Sequence, residues 1–217
     1  MNESIGPIDI KKLEIAVRAA SKITGERTFV IVGAAALSGT IHYPPSELLY
    51  TEDVDLYPEG GQDEDDMEQL DSLLGLGSKF ESRHGFYVQR VGEWTLMTQP
   101  AGWRERSSKC DFGDCTGICL GLLDLAYNKL EAAREKDFLY VGEMLRLGIV
   151  NSADLREFIT RGNESPGIVE ENLGRLEIAE KSSQERMGVP EKIETIQLIQ
   201  ATEKSATHLQ RSPASIG

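Results

Sequence analysis

The sequence predicts an α+β chain: a mixed helix-and-strand region over residues 1–120, a helical region over 121–204 and a polar tail over 205–217. Three observations carry this. Residues 28–32 (TFVIV) form a short β-branched and apolar run that stops at Gly33 and a string of small residues, which reads as a buried strand, a tight turn and a helix. Residues 53–57 (DVDLY) alternate acid and apolar with period two, the mark of a strand with one wet face. Beyond Gly121 the apolar spacing is helical almost to the end.

The elements follow in order. Ile10, Leu13, Ile15, Val17 and Ala20 recur at spacings that predict a helix over 8–24, ended by Gly25. The strand over 28–32 and the small-residue helix from Ala34 lead to a loop holding Pro44 and Pro45, and Pro58 stops the strand over 53–57. From Glu59 to Asp71 there are seven acids and no base, passing into a helix over 67–74 that Gly75 and Gly77 end. Two runs, 86–90 (FYVQR) and 94–98 (WTLMT), joined by a three-residue link, predict a hairpin. Helices are then expected over 122–134, 138–147, 153–160, 168–187 and 191–204, the third capped by Asn151 and Ser152.

With 217 residues the chain is long enough to bury a core without disulfides. Its 23 Lys and Arg stand against 36 Asp and Glu, a formal net charge of −13, which excludes a broad basic face for packaging nucleic acid. No apolar run approaches the roughly 20 residues of a membrane span, and the start MNESIGPIDIKK lacks a secretory apolar centre, so a soluble, cytoplasmic protein with no membrane partner is expected. Cys110, Cys115 and Cys119 are odd in number and match no common zinc spacing; they read as reduced apolar fillers in a turn and the start of a helix.

Asp53 and Asp55 are the sharpest local feature. Two carboxylates on one strand face are either two solvated acids or a ligand pair for a hard divalent cation such as Mg²⁺ or Mn²⁺, which relieves their repulsion. About twenty residues earlier, Gly33 allows a phosphate to approach the backbone, and the start of a following helix favours an anion. A phosphate cradle beside a metal pair is what phosphoryl chemistry needs. His42 and His84 have no local triad partners and read as loop or solvent-facing residues. Trp103, beside Arg104 and Arg106, either covers a core edge or stacks a base, and the acid run over 59–71 is a solvated face, a shield or a dock for a basic partner.

The succession FVIVGA from Phe29 and TEDVDL from Thr51 resembles the nucleotidyltransferase superfamily, in which a glycine turn precedes a strand of metal-binding acids. LLDLAYNKLEAAREKD from Leu122 is similar to a D-L-x-x-x-K-L-x-A-x-R-x-K-D helix of a bacterial branch related to abortive-infection toxins, and PAGWRER from Pro100 resembles a segment between these motifs. The similarity spans about residues 27 to 160. It implies a small mixed sheet, antiparallel at its edge and flanked by helices, with the helical region completing the active site. It implies Asp53 and Asp55 as Mg²⁺ ligands and, with Lys129 and Asp137, as the catalytic set; Gly33, Ala34, Ser38, Thr51, Lys129 and Lys136 would meet the nucleotide. Asp137 has a second reading as the cap of a helix starting at Phe138. On one continuous ideal helix Lys129 and Lys136 share a face while Asp124 and Arg134 project elsewhere.

The chain departs from the family pattern where Ala34 follows Gly33, leaving Ser38 as the nearby hydroxyl, and where Leu49 replaces a basic residue. Glu93, Asp111 and Asp114 are candidates by position for a third carboxylate. The expected activity is transfer of an NMP from an NTP to an acceptor hydroxyl on tRNA or another RNA, a protein or a small molecule, in a toxin-antitoxin or phage-defence setting with a cognate antitoxin. Arg104, Arg106, Lys129, Arg134 and Lys136 form a candidate basic patch for an RNA end. The alternative is a catalytically degenerate interaction protein of the same fold, using the apolar residues of 168–209.

Overall fold

In the computed structural model, residues 6–61, 63–162 and 165–187 are described. Helix α1 (Ile10–Thr24) begins where the Asp9 carboxylate accepts the Lys12 N–H and ends at Gly25 in the left-handed region. Leu13, Ala16, Val17 and Ala20 are buried, whereas Ile10 and Ile15 lie on the outer flank of the predicted apolar face. Strand β1 (Thr28–Ile31) is buried from Phe29 onward. The helix expected after Gly33 is reduced to a 3-10 turn (Ala34–Ala36) and a single α-turn, α2 (Leu37–Thr40).

Strand β2 (Asp53–Pro58) runs as the alternation predicts, with Val54 and Leu56 in the core. The acid run then has a structural use: Asp63 caps α3 (Glu64–Leu74), and Glu64, Asp65 and Asp66 occupy its first turn, where negative charge is stabilised by the helix dipole. A short helix α4 (Lys79–His84), capped by Ser78, was not foreseen, and it leads into β3 (Tyr87–Arg90).

Residues 94–98 are not the second strand of a hairpin. The chain turns into a 3-10 helix (Glu93–Leu96), with the Thr95 and Met97 N–H groups donating to the Gly92 and Trp94 carbonyls. Trp, Thr and Leu favour a pleated, half-buried surface, but a strand also needs a neighbour, and β3 takes its neighbour, β2, in parallel. After α5 (Trp103–Arg106), β4 (Ser108–Asp111) and β5 (Thr116–Cys119) form the hairpin of this fold. Of the three free cysteines Cys115 lies in a turn as expected, but Cys110 and Cys119 sit on the two strands rather than at a helix start, their Sγ atoms 4.0 Å apart.

The sheet has five strands in the order β3-β2-β1-β5-β4 and is mixed: β1 pairs antiparallel with β2 and parallel with β5. Helices α6 (Leu122–Ala132), α7 (Glu135–Arg146), α8 (Ser152–Gly162) and α9 (Pro166–Met187) follow, and Asn151 caps α8 as expected. The chain is thus α+β and mostly helical. One cluster of buried residues joins α1, the sheet and these helices, from Ile8 to Ala179. In α9, Leu176 and Ala179 are buried, and α9 approaches α7 so closely that a Cβ on Gly142 would lie 2.8 Å from the Ala179 carbonyl oxygen. Part of the apolar surface set aside for a partner is therefore spent on the chain's own core; the expected helix over 191–204 and the tail lie outside the described residues. Among the described residues no helix is long and apolar enough to cross a membrane.

Candidate active site

The pleat of β2 puts Asp53 and Asp55, both half-buried, on the face opposite Val54 and Leu56. The β1–β2 register pairs Ile31 with Leu56, and the Val32 N–H continues the ladder to the Asp55 carbonyl at 3.0 Å. Gly33 therefore arrives beside the Asp55 carboxylate. Its φ is 63°, and a Cβ built on it would lie 2.1 Å from Asp55 Oδ2, so glycine is required here by conformation and by space. Gly33 makes room for an acid, and the seven residues that follow it are too short a helical stretch to supply the anion-favouring dipole expected from the sequence. On the other flank, the parallel register sets Tyr87 beside Asp53 and Gln89 beside Asp55.

The cations come from the other end of the chain. Helix α6 ends at Ala133, which takes the left-handed conformation with φ 53°, and α7 restarts after Arg134. Asp137 falls in the first turn of α7, almost wholly buried, and does not cap a helix. It binds Lys129 Nζ at 3.2 Å and Arg134 Nε at 2.6 Å. Burial opposes ionisation of Asp137, but the hydrogen bond from Arg134 and the charge of Lys129 outweigh it and hold the carboxyl below its ordinary value. The Lys129 ammonium also lies 5.1 Å from the centre of the Tyr140 ring.

These groups meet in one cleft of about 660 Å³, within the usual range for small-molecule sites. Gly33, Ala34, Thr51, Asp53 and Asp55 line one side, and Lys129, Arg134 and Lys136 line the same cleft from α6 and α7. Burial and the neighbouring Asp53 push the Asp55 carboxyl up to about 6, against the opposing pull of Lys129, Arg134 and Lys136. The three cations thus leave the acid pair only partly compensated.

Most predicted site residues are brought together, with four corrections. Ser38 does not enter the cleft; its buried hydroxyl donates to the Ile8 carbonyl. Thr51 lines the cleft, yet its hydroxyl donates to Asp53 Oδ1, which makes it a support for that carboxylate. Asp137 lies behind the cleft as a positioning residue for Lys129 and Arg134. Lys129 and Lys136 share the cleft with Arg134 because the helix breaks at Ala133, so the single-helix geometry does not hold.

The basic patch divides. Arg106 is locked on the buried Asp124 at 2.7 Å, and Arg104 pairs with Glu59 and covers the Trp103 ring, so neither joins the cleft. Glu93 is exposed at the start of the 3-10 helix, Asp111 accepts the Gly113 N–H in the β4–β5 turn, and Asp114 pairs with Arg18 and Arg27. Among the described residues no group of three or more His, Cys, Asp or Glu is arranged to hold a metal. His42 is exposed, while His84 packs against Phe80 at the end of α4. Among the residues missed are Tyr87, Gln89, Trp94, Thr95, Thr98, Asn128 and Glu131, all lining the cleft; reading 94–98 as a strand hid Trp94. No family model, curated protein or solved structure matches this chain, so its functional reading rests on the chemistry of this cleft.

Proposed function

We propose that this chain is a metal-dependent nucleotidyltransferase that moves an NMP from an NTP to an acceptor hydroxyl. The observation that carries the reading is the meeting in one cleft of the Asp53–Asp55 pair with Lys129, Arg134 and Lys136. The donor set fits a hard divalent cation, because both acids face the cleft and Asp55 is destabilised in its charged form by burial and by Asp53. Mg²⁺ or Mn²⁺ held by Asp53 and Asp55 would supply positive charge against the phosphate oxygens. Lys129, Arg134 and Lys136 hold the triphosphate, with Asp137 fixing Lys129 and Arg134 from behind. An acceptor hydroxyl then attacks the α-phosphorus and pyrophosphate leaves. An RNA end such as that of tRNA is the favoured acceptor, since the local cations suit a single terminus on an otherwise acidic protein.

Incubation with Mg²⁺, each α-³²P-labelled NTP in turn, total bacterial RNA and lysate protein tests this, with Asp53→Ala alongside. Label in RNA or protein with the wild type only supports the reading and names nucleotide and acceptor class. One observation favours a second reading, a non-catalytic interaction protein of the same fold: the residue beside Asp55 on β3 is Gln89, so the pair gains no third carboxylate there. No label, together with no rise in melting temperature on adding Mg²⁺ and NTP, selects that reading.

A further inference from the structure

Opposite chemistry occupies another part of the same cleft. Trp94 lines it and is 68% exposed, an aromatic surface in the same cleft as the acid pair and the three cations. A single exposed aromatic is common on a protein surface; what sets Trp94 apart is its place in the lining of a cleft, where its face is open to a flat ligand. The indole does not hang freely. Its six-membered ring lies against Gly92, so close that a Cβ on residue 92 would be 1.8 Å from one of the ring carbons. Glycine at 92 lets one part of the ring rest on backbone while the remainder stays open.

The base of the 3-10 helix carrying Trp94 is tied to the cation-bearing helix. Asn128 Nδ2 donates to the Thr95 carbonyl at 2.9 Å, and Asn128 immediately precedes Lys129. A backbone carbonyl can only accept, which fixes the amide orientation, and Asn128 is one of the residues lining the cleft. Thr95 and Thr98 add hydroxyls to the same lining. A flat apolar ring with polar edge groups next to it, adjoining a cationic and acidic site, is the pattern that takes a nucleobase: stacking on the π-face and N–H groups at the edge.

We propose that Trp94, resting on Gly92, is the nucleobase-stacking platform of this cleft, with Asn128 and the Thr95 and Thr98 hydroxyls facing the edge of the base. The proposal rests on the nucleotidyltransferase reading and extends it from phosphate to base. The base belongs either to the incoming NTP or to the terminal nucleotide of the acceptor. Both present the same ring, and the experiment separates them.

The chain has two tryptophans, so Trp103→Phe leaves Trp94 as the sole indole fluorophore. That variant is titrated in Mg²⁺ with ATP, CTP, GTP and UTP, with inorganic tripolyphosphate, and with a short single-stranded RNA free of NTP. Emission from Trp94 is expected to be quenched by NTPs or by RNA and to be unchanged by tripolyphosphate. Quenching by NTPs assigns the incoming base, and quenching by RNA alone assigns the acceptor base. In parallel, Trp94→Ala weakens binding of the quenching ligand about 5- to 150-fold by direct binding measurement, Trp94→Tyr restores most of it, and tripolyphosphate binds both equally. Because the side chain is exposed, the melting temperature of Trp94→Ala stays near the wild-type value. Unchanged NTP and RNA affinity in Trp94→Ala, with transfer still abolished by Asp53→Ala, removes the platform and keeps the transferase. Failure of the wild type to bind any NTP or RNA removes both.

Discussion

Lys129 and Asp137 sit 3.2 Å apart across the break between two helices, so the ammonium in the cleft is aimed by a carboxylate almost wholly buried on the next element. The acid reaches Lys129 only because Ala133 adopts a left-handed conformation and turns the chain back.

Asp137→Asn should therefore weaken NTP binding although residue 137 does not line the cleft. It should also cost about 1.5–3 kcal/mol at neutral pH, since Lys129 and Arg134 lose a charged hydrogen-bond partner. The folded carboxyl titrates below its ordinary value of 3.8, so its stabilisation is complete above that value and is lost as pH falls through the folded pKa. Urea unfolding between pH 2 and 7 checks this: the difference between wild type and variant should be constant near neutrality and shrink below pH 3.8. A difference that persists unchanged at low pH would assign the loss to packing.

Gly33→Ala should destabilise far more than Gly25→Ala. Gly25 is left-handed helical, where alanine costs about 1–2 kcal/mol, whereas Gly33 combines φ 63° with ψ −166°, a region open essentially to glycine alone and costing about 1–3 kcal/mol. Around Gly25 there is open space, whereas the new methyl at 33 meets the Asp55 carboxylate. Paired denaturant curves should show the larger loss at 33, with NTP affinity falling in that variant alone. Equal losses would mean that the carboxylate moves aside freely.

Asp55→Asn should raise the melting temperature by a few degrees in the presence of a chelator while abolishing nucleotidyl transfer. The gain follows from removing a charge that burial and Asp53 both disfavour. Differential scanning calorimetry at pH 7 decides it; a lower melting temperature would show that this carboxylate is a structural acid.

Ser38→Ala separates the sequence expectation from the geometry. The hydroxyl donates to the Ile8 carbonyl in a buried setting, so its removal leaves an unsatisfied acceptor and costs about 1–3 kcal/mol. The NTP dissociation constant should not change. A weakened NTP with unaltered stability would return Ser38 to the nucleotide.

What was legible in the sequence was whatever is encoded within a few residues. The period-two alternation of β2 placed Asp53 and Asp55 on one face, and Gly33 announced its turn directly. Lys129 and Lys136 were found through a motif, but the wheel that joined them assumed a helix that Ala133 interrupts, and alanine gives no local sign of a left-handed residue. Arg134 entered the cleft for the same reason. Strands β4 and β5 have four residues each, one alternating half-buried and exposed and the other holding Gly117, and carry too little pattern to register alone. Trp94 was unreadable as a cleft residue because composition favours a strand for 94–98, and only the parallel pairing of β3 decides otherwise.

The two halves of the cleft also differ in when they exist. Asp55 and Lys129 are 74 positions apart, so at roughly 5–20 residues per second the acid pair leaves the ribosome several seconds before its cations. During that interval the segment of β2 carries two mutually repelling carboxylates without the cations that face them in the finished cleft. The cleft is consequently incomplete until α6 and α7 have closed against the sheet.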